Sequence, residues 1–201
     1  MSGAARRHPA LIVVDVQRDF CPGGALPAPG GARIVPVINR YLDEAVAADM
    51  PVYASRDWHP PVTTHFAQSG GEWPPHCVQD TEGAQFHPDL ELPPRTIVID
   101  KGDDPGQDGY SAFDGHTPEG KSFLTDVRDR QIDWLYVTGI ATEYCVRQTV
   151  LDALRAGIGV TVLTDAVAGI EAHPGDAERA LTEMSDAGAI IERTPRAGSG
   201  F

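Results

Sequence analysis

Nothing in this chain approaches the roughly 18 consecutive apolar residues that a membrane-spanning helix requires, so no membrane partner is expected. Cysteine is scarce. Cys21, Cys77 and Cys145 form an odd set without CxxC spacing, which argues against a disulfide framework and for reduced thiols in a cytoplasmic protein. Basic residues are few as well: 16 Lys and Arg stand against 29 Asp and Glu, and they are scattered rather than massed. A formal net charge of -13 with no basic cluster argues against a nucleic-acid partner. The Arg6-Arg7 pair is followed by an apolar run from Ala10 to Val14 only, which passes straight into Asp15, so no export signal is expected. Internal repeats and low-complexity runs are missing too, and the tail from Arg196 to Phe201 is expected to fray.

What is present is ample apolar material, 41% of 201 residues, enough for one continuous core and a single domain over residues 1–201. Five apolar, β-branched runs read as buried strands: Ala10 to Val14, Val52 to Ser55, Thr96 to Ile99, Trp134 to Thr138 and Val160 to Leu163. A shorter sixth is Ala189 to Ile191. Their near-continuous hydrophobicity, without strict alternation, is what a parallel sheet covered on both faces demands. Helical periods lie between them. Ile34, Ile38, Tyr41, Leu42, Ala45 and Val46 fall on one stripe, with Pro36 tolerable only in an opening turn. Further helices are expected over Pro118 to Arg130, Thr142 to Ala156 and Pro174 to Ala187. The alternation predicts an α/β fold: one doubly wound domain with a central, mostly parallel six-stranded sheet, helices on both faces, and functional groups beyond the carboxyl ends of the strands.

The exception is the proline-rich stretch from Trp58 to Pro94, which has little periodicity of either kind. Loops beyond about 12 to 15 residues are functional or disordered as a rule, and this one holds Trp58, Phe66, Trp73 and Phe86, so it is read as ordered and functional. Four of the seven histidines, His59, His65, His76 and His87, fall within it, the first two residues after Asp57 at the end of the second strand. Asp-x-His with further histidines suits zinc, iron or manganese. From spacing alone, solvated loop histidines fit as well.

Asp15 ends the first strand, where burial would raise its pKa and suit a general base; a loop-ordering or capping Asp is the alternative. Lys101 holds the same place after the third strand and could equally be an ordinary surface lysine. Cys145 lies in the first turn of the expected third helix, where backbone N–H groups and the macrodipole favour a thiolate and can form an oxyanion hole. Any lone cysteine can also be a small buried hydrophobe. The architecture would bring Asp15, Lys101 and Cys145 to one sheet edge.

Five segments together carry a specific resemblance: Leu11 to Leu26 (LIVVDVQRDFCPGGAL), Ser55 to Pro60 (SRDWHP), Trp73 to Val78 (WPPHCV), Lys101-Gly102, and Gly139 to Val146 (GIATEYCV). Over roughly Ala10 to Ile191 the chain resembles the nicotinamidase branch of the isochorismatase-like cysteine hydrolases. The resemblance implies the isochorismatase-like hydrolase fold, an Asp15, Lys101 and Cys145 triad, and one divalent ion held by Asp57, His59, His65 and His76, with His87 left as a loop residue. It implies a cis peptide between Ile140 and Ala141, an oxyanion hole from the N–H groups of Ala141 and Cys145, and a substrate pocket of Phe20, Trp73, Tyr110 and Ala141. Tyr144 stands where some relatives have His. The implied activity is hydrolysis of nicotinamide, and of pyrazinamide, through a Cys thioester, with the metal on the ring nitrogen, in NAD salvage. The partner would then be a small molecule, and the chain a monomer or homo-oligomer. The alternatives are another small-amide cysteine hydrolase of the superfamily, or a non-catalytic ligand-binding relative.

Overall fold

A computed structural model describes residues 7–193; Arg6 of the arginine pair and the Arg196 to Phe201 tail lie outside them. Six strands, β1 (Pro9–Val14), β2 (Val52–Asp57), β3 (Ile97–Lys101), β4 (Trp134–Ile140), β5 (Gly159–Ala168) and β6 (Ile190–Glu192), form one sheet in the order β3-β2-β1-β4-β5-β6. Every pairing is parallel. Strand β1 shows why its sequence does not alternate: Leu11 and Val13 point into one core, Ala10, Ile12 and Val14 into the other, and all five are fully buried.

Helix α1 (Gly31–Ala47) lays Ile34, Ile38 and Leu42 on the first face, while α2 (Phe123–Asp129), α3 (Arg147–Arg155) and α4 (Asp176–Asp186) pack Phe123, Val127, Val150 and Met184 on the second. A single helix cannot cover a six-stranded face. The Trp58 to Pro94 segment completes the cover with Cys77, Ala84 and Leu90, which is why so irregular a stretch is ordered. No helix among the described residues is long and apolar enough to cross a membrane.

Several boundaries differ from the sequence expectation. Pro36 lies inside α1 as its sixth residue, in the second turn, and Val46 is 56% exposed rather than part of the buried stripe. Helix α2 begins only after Ser122, whose hydroxyl accepts from the Thr125 N–H as a cap, so Pro118 falls in the preceding turn. The third helix is split: a π-helical turn over Thr142–Val146 precedes α3.

The order reverses between β1 and β4, the switch point at which a doubly wound sheet opens a crevice at its carboxyl edge. Gly139 brings β4 close against β1 at that edge. Its φ is +114°, and a Cβ there would lie 2.0 Å from the Val14 carbonyl oxygen, a backbone atom that cannot yield. Gly139→Ala is therefore expected to destabilise the fold by at least about 2 kcal/mol in denaturant unfolding; an unchanged midpoint would contradict this packing.

Candidate active site and metal centre

Strand ends deliver the reactive groups. Asp15 follows β1 directly, Asp57 is the last residue of β2, Lys101 the last of β3, and Cys145 sits in the π-helical turn after β4. Asp15 adopts φ +49°, a left-handed conformation unusual outside glycine and tolerated best by short polar residues, and this turns its carboxylate into the crevice. Lys101 is fully buried, with Nζ 2.7 Å from Asp15 Oδ2, in contact with Asp57 Oδ1, 3.1 Å from the Gly109 carbonyl oxygen and 3.4 Å from Cys145 Sγ. Ligand-capable atoms of Asp15, Asp57 and Cys145 lie within 4.8 Å of one another.

The two carboxylates flanking Lys101 are driven apart in acidity. Burial raises Asp15 above the ordinary carboxylate range, against the pull of Lys101, with Asp57 pushing in the same direction as burial. Asp57 also suffers burial, but Lys101, His59 and His76 outweigh it and hold the group well below its usual value. One carboxyl is thus fitted to exchange a proton and the other to stay an anion, the separation that marks acid–base assignments. Lys101 is raised well above its usual value: burial alone would lower it, but Asp15 and Asp57 keep it cationic.

Cys145 differs from the expectation of a resting thiolate. Burial pushes its pKa well above the ordinary thiol, and Asp15 adds to this against the opposing pull of Lys101. The favourable helix terminus is also displaced, because α3 starts two residues later. Cys145 rests as a thiol beside a basic carboxylate, an arrangement that activates the nucleophile only when the proton moves. The Ile140–Ala141 peptide is cis. The carbonyl of Ala141 accepts the N–H groups of Tyr144 and Val146, which winds the turn around Cys145.

A second cluster abuts the first. His59, His65 and His76 each turn Nδ1 toward an oxygen that can only accept: the Gly102 carbonyl at 2.9 Å, Asp108 Oδ1 at 2.9 Å and the Pro74 carbonyl at 2.8 Å. Each ring therefore carries its proton on Nδ1 and keeps the Nε2 lone pair free, as a metal-ligating histidine does when its other nitrogen donates to an oxygen. Ring atoms of the three lie within 4.8 Å of one another, and His59 Nε2 is buried with no hydrogen-bond partner. Asp57 Oδ2 stands 3.6 Å from His59 Nε2 and 3.8 Å from His76 Nε2. Those gaps are too long for hydrogen bonds, but close to the roughly 3.3 Å between ligand atoms around a tetrahedral ion with bonds of about 2.0 Å. Three imidazoles and one carboxylate, all buried, fit a divalent ion of the zinc, iron or manganese class. Burial lowers the His65 pKa and keeps it neutral, as a ligand must be. His87 is apart from the cluster, its Nδ1 accepting from the Asp89 N–H.

Aromatic side chains wall the cluster. Phe20 lies 5.3 Å from His76 between ring centres, and Trp73 donates its indole N–H to the Tyr110 hydroxyl at 2.8 Å. Tyr144, which stands before the cysteine, packs edge-on to Trp73 with 5.0 Å between ring centres.

Three supporting residues escaped the sequence reading. Ser55 donates to Asp15 Oδ1 at 2.7 Å. Gln17 spans the crevice, donating to the Asp57 carbonyl and accepting the Asp57 N–H, both at 2.8 Å. Asp108 is the third. Ser55 had a visible signal, a polar residue inside an apolar strand and two before Asp57, hence on the same face. Cys21 and Cys77 are buried; burial pushes Cys21 up to about 11, which suits packing rather than reaction.

Residues 9–195 match the isochorismatase domain family. The chain is 44% identical to the nicotinamidase of Escherichia coli, over 90% of this chain and 93% of that one. It is also 44% identical to the nicotinamidase/pyrazinamidase of Mycobacterium tuberculosis, over 89% and 95%. Among solved structures, the pyrazinamidase of Pyrococcus horikoshii in complex with zinc superposes with a TM-score of 0.85 at 45% identity, covering 93% of this chain and 99% of that one.

Proposed function

The chain belongs to the isochorismatase family, within which it is an amidohydrolase of the nicotinamidase kind, and from that premise we propose that Cys145, Asp15 and Lys101 carry the reaction. The reaction converts nicotinamide to nicotinate and ammonia and so serves NAD salvage. The observation that carries the assignment is the single buried chain of contacts from Asp15 through Lys101 to Cys145 on one side and to Asp57 on the other.

Asp15 takes the Cys145 proton, and the sulfur attacks the carboxamide carbon, forming the C–S bond as the carbonyl pair moves onto oxygen. The N–H groups of Ala141 and Cys145 receive that oxyanion. Asp15 returns the proton to nitrogen, the C–N bond breaks, and ammonia leaves behind a thioester. Water then attacks the thioester carbon, giving a proton to Asp15 as the C–S bond breaks, and the proton passes to the sulfur. Lys101 keeps Asp15 oriented and lowers the energy of the transient thiolate. Phe20, Trp73 and Tyr110 enclose a flat ring between apolar walls. Asp57, His59, His65 and His76 would hold a divalent ion, which would supply Lewis-acid chemistry toward the substrate ring. Pyrazinamide, which keeps the ring nitrogen in place, is accepted by the same site.

Metal removal tests the second cluster. Exhaustive chelation, verified by metal analysis, or His76→Ala is expected to lower kcat/KM by about a hundredfold or more, with zinc restoring the chelated wild type and not the variant. Full activity in a verified metal-free sample would sink the role assigned to these ligands.

A further inference from the structure

We propose that Asp108 is a positioning residue that makes His65 a metal ligand, with the exposed loop from Gly102 to Gly109 as its support; this rests on the metal reading above. The three imidazoles are not held alike. His59 and His76 are oriented by backbone carbonyls, Gly102 and Pro74, whereas His65 depends on a side-chain carboxylate that is 63% exposed. The same loop grips the chain around His65: the Pro105 carbonyl accepts the Thr64 N–H at 3.0 Å and the hydroxyls of Thr63 and Thr64 at 3.2 and 3.0 Å. Its two ends are pinned within the site, Gly102 by His59 and Gly109 by Lys101. At Gly102, with φ +69°, a Cβ would meet the His59 ring at 2.5 Å, so close an approach requires glycine.

The chemistry follows from the tautomer. A carboxylate facing Nδ1 obliges that nitrogen to carry the proton, leaves the Nε2 lone pair free in the cluster with His59 and His76, and increases the basicity of the ligand. Without Asp108 the ring is free to carry its proton on Nε2, which removes one ligand while leaving the His59, His76 and Asp57 set in place. A three-ligand site binds, but more weakly.

Zinc affinity measured by chelator competition separates the cases. Asp108→Ala is expected to weaken zinc binding by about 10- to 100-fold, and Asp108→Asn, which keeps an acceptor oxygen without the charge, by less. The chelated Asp108→Ala protein should melt with the chelated wild type, since an exposed side chain adds little to the fold. Zinc affinity within twofold of wild type in Asp108→Ala overturns the proposal. So does a chelated variant that melts well below chelated wild type, which would assign Asp108 to holding the loop instead. His76→Ala run alongside distinguishes the two levels: if it too binds zinc like wild type, the metal reading itself has failed.

Discussion

Cys145→Ala protein is expected to fold, to bind zinc with wild-type affinity and to release ammonia from nicotinamide at least about a thousandfold more slowly than wild type. Among the described residues the sulfur is the one thiol in contact with Lys101 at Asp15, while the Ser55 hydroxyl, which also meets Asp15, is fully buried and spends its proton on Asp15 Oδ1. Removing one buried sulfur from the core that Cys145 shares with Val14 and Val146 leaves only a small cavity, so stability should fall by about 1 kcal/mol and the lost turnover cannot be ascribed to unfolding. Two measurements check it. One is ammonia and nicotinate release; the other is acid-quenched mass analysis, which should find the nicotinoyl group on Cys145 of wild type during turnover and none on the variant. Turnover within tenfold of wild type would remove Cys145 from its role and leave a direct attack by water as the alternative.

The largest effect on the fold is expected at Lys101. Lys101→Met preserves most of the volume but deletes the one cation between Asp15 and Asp57, both of them buried. Removing one partner of a buried ion pair strands the other charge, and the expected loss is about 3 to 5 kcal/mol in denaturant unfolding at neutral pH. One of the two carboxyls would then take up a proton. If it is Asp15, the general base is lost; if it is Asp57, a metal ligand is weakened. Turnover should therefore collapse with either outcome, and zinc affinity measured beside it tells which carboxyl was protonated. A variant with wild-type stability and kcat/KM would show that the lysine is a bystander.

The sheet was readable in advance because parallel strands buried on both faces need unbroken apolar runs, as Ala10 to Val14 and Trp134 to Thr138 supply. The strand ends were readable for the same reason: charged residues that close such a run, Asp15 directly after Val14 and Asp100-Lys101 after Ile99, lie at the edge of the sheet. Boundaries were less accessible. Helix α2 starts late because the Ser122 cap outweighs the helix-compatible residues before it, and Val46, in the last turn of α1, is exposed although it shares the period of the buried stripe. The π-helical turn at Thr142–Val146 leaves no mark in hydrophobic period, since it spans a single turn.

Residue types and spacing along the chain determined which groups could do chemistry: a cysteine after one strand, an acid and a lysine after two others, and a proline-rich loop carrying histidines behind Asp57. Only the tertiary structure decided their states. The parallel sheet brings Asp15 and Asp57 to opposite sides of one buried ammonium, and that shared neighbour, together with burial, pushes one carboxyl up and the other down. Burial also keeps Cys145 protonated where helix position alone favoured a thiolate. The partners that set the histidine tautomers, Gly102, Pro74 and Asp108, could not be read ahead of the fold, because two are backbone carbonyls that every residue possesses and the third is an unremarked acid 43 positions from His65. Protonation depends on distance and solvent in three dimensions, and a linear order of residues contains neither.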